Sequence, residues 1–267
     1  MDIASVGGII LALVGIIGGM MIEGGSIMEI VKPTAFMIVV GGTAGACMLQ
    51  FPLSIFLAAL KSLIKVFLHK GHDGEAILQQ LVGFANKARK SGIVSLDADV
   101  NEIHDAFLKQ ALMLAVDGTD PGEVRKIMEL ELGNKSEIEE KIPAVFEAAG
   151  GYSPTVGIIG AVLGLIQVMK NLSDIDEVGR GIATAFVATI YGVAVANLIC
   201  LPAAAKLKFR HREETMIKEM MIEGVISIIE GMNPRMVETK LRTFLFDSKP
   251  AAEREGAADG KPAEATA

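Results

Sequence analysis

Two long uncharged runs near the middle of the chain limit its folding most. From Ala148 to Met169 there are 22 residues without a charge, and from Gly181 to Ala205 there are 25. A bilayer core of roughly 30 Å is crossed by about 20 apolar residues in a helix, so each run can span it. The charged stretch between them, Lys170 to Arg180, is short enough to predict a turn at one membrane face. The two runs therefore read as a transmembrane hairpin.

Each run of the hairpin carries a proline, Pro154 near the start of the first and Pro202 near the end of the second. A helical proline has no N–H to donate, which frees the carbonyl four residues earlier, here that of Gly150 and of Leu198. Such prolines either face protein or water, where the freed carbonyl finds a partner, or are tolerated by ordinary membrane packing. Small residues recur at a spacing of four: Gly157 and Ala161, Gly160 and Gly164, then Ala188, Gly192 and Ala196. Such stripes let another helix approach closely, and they predict self-association.

Two further uncharged runs precede the hairpin. Ile3 to Ile22 has 20 residues, and Asp2 stands where a cleaved signal would need a basic segment, so a retained first span is expected. Pro33 to Leu60 has 28, more than a bilayer needs, which places a boundary near Pro52 and sends the helix on through Lys61, Lys65 and Lys70. The polar stretch Glu23 to Lys32 reads as a turn between these two spans. Segments 54–147 and 206–267 each hold 11 lysines or arginines, whereas the two short turns hold only Lys32, Lys170 and Arg180. The positive-inside rule thus puts both large segments and both termini in the cytoplasm.

The expected architecture is an all-α integral membrane protein of four transmembrane helices with a large helical cytoplasmic insert. Its parts are residues 1–53 (spans one and two), 54–147 (cytoplasmic helical domain), 148–205 (spans three and four), 206–247 (cytoplasmic C-terminal helices) and 248–267 (a disordered tail). Within the insert, Ile77, Leu81, Phe84 and Ala88, then Ile103, Phe107, Leu108, Ala111 and Leu112, recur at helical spacing. Asp120-Pro121-Gly122-Glu123 marks a helix start, and Ser136 with Glu139 forms a capping box that predicts another, with Pro143 as a kink or break. A helix over Lys206–Glu230 and a short one over Arg235–Phe246 close the ordered chain. The tail has almost no large apolar residue, which predicts disorder.

Composition narrows the function classes. Mean hydropathy is +0.46, and the formal charge of −7 excludes the basic face of a nucleic-acid binder. No phosphate-binding, dinucleotide-binding, HExxH or CxxC motif occurs, so neither an enzyme nor a bound cofactor is expected. Cys47 and Cys200 lie in apolar runs and read as packing residues, and His69 and His72 read as solvated loop. No Asp, Glu, Lys, Arg or His lies inside the four runs, although ion pathways generally need an ionisable group at membrane depth. A chain of this kind can conduct only if a partner supplies the carboxylate. The hairpin itself offers hydroxyl and amide groups: Thr155, Gln167, Thr184, Thr189, Tyr191 and Asn197. Thr189, mid-span, either lines a cavity or bonds back to the Ala185 carbonyl.

Two spans, a large helical loop, and the hairpin GYSPTVGIIGAVLGLI…ATAFVATIYGVAVANLICLP together resemble the MotA/TolQ/ExbB ion-channel family. The run ARKSGIVSLD at Ala88–Asp97 and the extra span Ile3–Ile22 favour its flagellar stator members over the ExbB- or TolQ-like energisers of outer-membrane processes, which are the alternative. The resemblance implies a bacterial inner-membrane location and a ring of five copies around a MotB-like single-span, peptidoglycan-binding subunit that carries the ion-binding aspartate. Pro154 and Pro202 fall on the prolines that couple ion passage to movement. Arg89 falls on the arginine that contacts the rotor protein FliG, with Lys90 beside it. Asp97 stands where the family usually has glutamate. On the residues alone, Arg89 and Asp97 read as solvated charges; the resemblance is what makes them a contact. In sodium-driven relatives a threonine occupies the position of Ala161, whereas the threonine matching Thr189 is common to both ion classes. Ala161 therefore points to protons, with sodium as the alternative ion. Surrounding membrane lipid is the remaining expected contact.

Overall fold

The computed structural model describes residues 3–68, 73–170 and 172–248. His69, Lys70, His72 and the tail from Lys249 lie outside the described residues, as does the expectation placed on each. Among the described residues the chain is helical with no strand, and four helices are long and apolar enough to cross a bilayer. The elements are α1 (Ile3–Ile22), α2 (Pro33–Gln50), α3 (Leu53–Leu68), α4 (Gly74–Ser91), α5 (Ala106–Val116), α6 (Pro121–Lys170), α7 (Ile175–Ile229) and α8 (Pro234–Ser248). A single helical turn, Ile27–Ile30, lies between α1 and α2.

The described residues form two compact units, one from residues 3–68, 138–170 and 172–210, the other from 73–137 and 211–248. The first unit keeps α3 as well as the spans, because a shared core holds it there. Cys47 of α2, Ala59 and Val66 of α3, Val145 and Phe146 of α6, and Ala203 and Ala204 of α7 are all buried together. Proline at 52 separates α2 from α3, and the chain is extended at Phe51 (φ −118°, ψ 147°), as steric conflict before a proline requires.

In the same unit, α6 and α7 approach until their backbones touch. A Cβ on Gly157 would lie 2.9 Å from the Ala188 carbonyl oxygen, and one on Gly192 would lie 2.6 Å from that of Ser153. Further along, a Cβ on Gly164 would meet the Ala185 nitrogen and the Gly181 oxygen at 3.1 Å. Ser153, fully buried, ties the crossing by donating its hydroxyl to the Gly192 carbonyl at 2.8 Å. The stripe of small residues is thus used within one chain, in the contact between its third and fourth spans. Other faces of the hairpin, with Ile158, Ile159, Leu163 and Phe186, stay exposed.

Three local expectations change. No helix begins at Ser136, and Pro143 does not break the chain: α6 is continuous from Pro121 to Lys170 through both Pro143 and Pro154. Ser136 hydrogen-bonds His211 Nε2 at 2.8 Å instead of capping. An interior proline costs about 3 kcal/mol, and burial of Val145 and Phe146 directly after Pro143 opposes that cost. The turn between spans three and four is also shorter than Lys170–Arg180. Asp174 caps α7 by accepting from the Asp176 and Glu177 amides at 3.0 and 3.1 Å, and those two acids complement the helix start.

The second unit has its own core. Leu78, Leu81, Leu108, Leu112, Val124, Met128, Met220, Val225 and Leu241 are all but inaccessible, from α4, α5, α6, α7 and α8 in turn. Each large side chain so buried contributes about 1.5–3 kcal/mol. Asp120 accepts from the Gly122 amide at 2.9 Å where α6 begins. Across this core Glu223 of α7 pairs with Arg125 of α6 at 2.6 Å and with Lys240 of α8. Burial works against the Glu223 charge, but hydrogen bonds from Lys240 and Arg125 outweigh it and hold the carboxyl below its ordinary value.

A carboxyl with a lowered folded value stabilises above its unfolded pKa of about 4.3 and loses that contribution as pH falls through the folded value. Glu223→Gln is therefore expected to lower stability at neutral pH by about 1–2 kcal/mol, with the difference from the parent shrinking on acidification. Hydrogen-exchange protection of the α6 and α7 amides around Val124 and Val225, followed against pH in the full chain, checks this. For the hairpin, Gly192→Ala is expected to cost about 1–3 kcal/mol, because the added methyl has no space. Gly179→Ala, where nothing lies within 4 Å, should be neutral or slightly stabilising. Thermal unfolding midpoints of the two variants in detergent should separate accordingly.

Candidate functional site

The residues expected to line an ion path are distributed along the α6–α7 hairpin. Gly160 meets the Ala188 methyl, so Ala161 and Thr189, one residue beyond each, flank the crossing at one level. Both are half-exposed. Thr189 Oγ1 donates to the Ala185 carbonyl at 3.3 Å, the back-bonding alternative, which leaves its oxygen lone pairs available. Thr155 is exposed and donates to the Tyr152 carbonyl at 2.8 Å. Thr184 and Asn197 likewise bond the Arg180 and Val193 carbonyls of their own helix, each at 2.9 Å. No contact joins Thr155, Ala161 and Thr189 into one cluster. The two threonine hydroxyls can accept a hydrogen bond from water or oppose a carboxyl, whereas Ala161 presents only a methyl, and none of the three carries a charge.

The prolines sit in different backbone settings. Around Pro154 the helix stays α, with the proline half-buried beside the Ser153–Gly192 tie. Before Pro202 the helix widens to a π turn over Val195–Cys200, where the Leu201 N–H reaches the Ala196 carbonyl. A π turn adds a residue to the ring closed by each bond, which lets the helix absorb a missing donor locally. Its sequence signal is the proline alone. A second π turn, Met37–Gly41, lies in α2.

Tyr191 was legible only as one polar group in an apolar run, yet it fixes where α2 begins. Its hydroxyl donates to the Ile30 carbonyl at 2.6 Å and accepts from the Lys32 amide at 3.3 Å. The Phe36 ring meets it edge-on, centroids 6.3 Å apart. The start of the second span is therefore held at the level of the middle of the fourth. In α2, Thr43 Oγ1 is buried without a hydrogen-bond partner. No group of three His, Cys, Asp or Glu that could hold a metal occurs among the described residues, and Cys47 and Cys200 are free and buried.

The second candidate region is the turn after α4. Gly92 adopts φ +79°, where a side chain would be strained, and its N–H closes the helix on the Ala88 carbonyl at 2.8 Å. Ser95 Oγ bonds the Gly92 carbonyl at 2.6 Å, and Leu96, fully buried, anchors the turn to the core of the second unit. Arg89 and Lys90, in the last turn of α4, and Asp97, after the turn, are exposed and make no ion pair among the described residues. Lys87 differs: it is paired with Asp99 at 2.7 Å. The arrangement presents two cations and one anion on a rigid turn, with the neighbouring lysine already neutralised.

Comparison with known proteins agrees with this architecture. Residues 6–92 match the motility protein A N-terminal family, and residues 99–220 match the MotA/TolQ/ExbB proton channel family. Motility protein A of Bacillus subtilis (strain 168) is 36% identical over 92% of this chain and 91% of its own length. Chemotaxis protein PomA of Vibrio alginolyticus is 33% identical over 90% and 97%. Among solved structures, MotAB of C. jejuni superposes with a TM-score of 0.88 at 33% identity, covering 94% of this chain and 98% of that one. The flagellar MotAB stator complex of Bacillus subtilis superposes at 0.83 with 35% identity, over 94% and 98%. The chain belongs to the MotA/TolQ/ExbB proton channel family, among its motility protein A relatives.

Proposed function

We propose that this chain is a stator subunit of a bacterial flagellar motor, which with a MotB-like single-span, peptidoglycan-binding partner forms an ion path and turns ion flow into torque. One pairing of observations carries the reading. The chain matches motility proteins and MotAB stator subunits along nearly its whole length, yet its four uncharged runs hold no Asp, Glu, Lys, Arg or His. It is a channel subunit and not an enzyme. Several copies, five by the family resemblance, form a ring in the inner membrane with both termini cytoplasmic, as the basic segments require.

In this reading the partner's carboxylate takes the ion, opposite Thr189 and Ala161, with Thr155 further along the same hairpin. Sodium prefers several oxygen ligands. The Ala161 side chain supplies none, and the single Thr189 oxygen cannot complete a sodium shell by itself, so the path suits a proton relayed by water. One charge moving through 100 mV releases about 2.3 kcal/mol. Pro154, beside the Ser153–Gly192 tie, and Pro202, beyond the π turn, pass the resulting movement along α6 and α7. Arg89, Lys90 and Asp97 present the charges met by FliG. Unpaired surface charges suit a contact that must form and break, since each exposed pair is worth only about 0–1 kcal/mol while still steering encounter and register.

Swimming speed in a stator-deleted host that expresses this chain with its partner tests the reading. Speed is expected to ignore a sodium series at fixed pH and to collapse with a protonophore, and Arg89→Glu should impair swimming without loss of membrane insertion. Speed that tracks sodium and survives the protonophore would overturn proton coupling. Normal swimming by Arg89→Glu together with Lys90→Glu would overturn the rotor contact.

A further inference from the structure

The first unit contains a cavity that the ion path does not use. It is a half-open space of about 560 Å³, walled by α1 from Ala4 to Ala12, by Leu63 and Val66 of α3, and by α7 from Asn197 to Lys206. That volume is in the range of small-ligand sites, about 300–1,000 Å³. Helix α1 contributes no buried residue anywhere between Ala4 and Ile22, so it closes one side of this space without filling it. At 1.5 Å per residue the walls from α1 and α7 are each roughly 12–14 Å long, which makes the cavity a slot along the helices.

The slot is amphiphilic. Towards Ala12 and Leu198 its lining is apolar, and the one polar side chain there, Asn197, donates its amide to the Val193 carbonyl of its own helix. Water needs two to four polar partners to occupy a cavity, and that end offers almost none. At the other end lie Ser5 and Lys206, the single charged residue of the wall. Lys61 lies near that wall in sequence and Arg210 reaches across to the Val66 carbonyl at 2.8 Å, whereas Lys208 is paired with Glu147 at 2.6 Å. Basic pockets between membrane helices on the cytoplasmic side attract anionic headgroups.

We infer that the slot binds an anionic phospholipid of the cytoplasmic leaflet, with its headgroup at Lys206 and an acyl chain along Gly8, Ile9, Leu198 and Pro202. The leaflet rests on the orientation given under Proposed function; the slot itself does not. The acyl chain lies against Pro202 and the π turn, so occupancy supports the widened backbone at the second coupling proline.

The complex purified with its partner from phosphatidylglycerol and phosphatidylcholine nanodiscs, examined by native mass spectrometry, tests this. The expected result is one retained phosphatidylglycerol per copy of this chain. Gly8→Trp should lose it, because a side chain there enters open space with nothing within 4 Å of the Cβ. Leu11→Trp, at a position 75% exposed, should keep it. Lys206→Gln should keep a lipid but retain the two headgroups equally. Retention no greater in the parent than in Gly8→Trp would overturn the inference. So would an Ile9→Cys cross-link to a neighbouring copy, which would show that protein fills the slot. Mass needs no motor function, so a complex that keeps its lipid but fails to restore swimming separates this inference from the stator reading.

Discussion

The contact on which the rest of the first unit depends is the one between two backbones, at Gly157 of α6 and Gly192 of α7. With carbonyl oxygens within 3 Å of where a Cβ would stand, no other residue fits there without parting the helices. Lipid gives no hydrophobic drive between helices, so close packing and a hydrogen bond such as Ser153 to Gly192 must hold the hairpin together. Once α6 and α7 are locked, Tyr191 can set the height at which α2 enters, through Ile30 and Lys32. The faces left over are then large and apolar.

A second consequence is chemical. The threonine hydroxyls along the hairpin bond within their own helices, and the uncharged runs hold no Asp, Glu, Lys, Arg or His, which suits one wall of an ion path and not a whole one. This division of labour suits a moving part. On the proposed reading the charge that comes and goes sits on the partner, and this chain keeps its charge state and moves.

Much of this was legible in the sequence. Uncharged runs gave the spans, because burying charge in lipid is costly enough to leave a plain mark. Asp120 was readable for a local reason, a single residue type meeting a single backbone need. Continuity through Pro143 was not, since it rests on burial of Val145 and Phe146 against helices far away in the chain. Likewise Asp174, Asp176 and Glu177 looked like a charged break and are a helix start. The spacing-four stripes predicted close packing but could not say whether the partner helix belonged to the same chain. Placement of Thr155, Ala161 and Thr189 on the hairpin followed from the spans; the π turn before Pro202 and the reach of Tyr191 to Ile30 depend on three-dimensional contacts.

The central claim is that this chain walls an ion path whose carboxylate comes from elsewhere. Proton flux into liposomes, followed with an internal pH dye under an imposed potential, tests it most directly. The account predicts no flux for the chain alone, flux for the chain with its single-span partner, and loss of that flux when the partner's membrane carboxylate is changed to an amide. Flux through the chain alone, or flux that survives the amide, would contradict it.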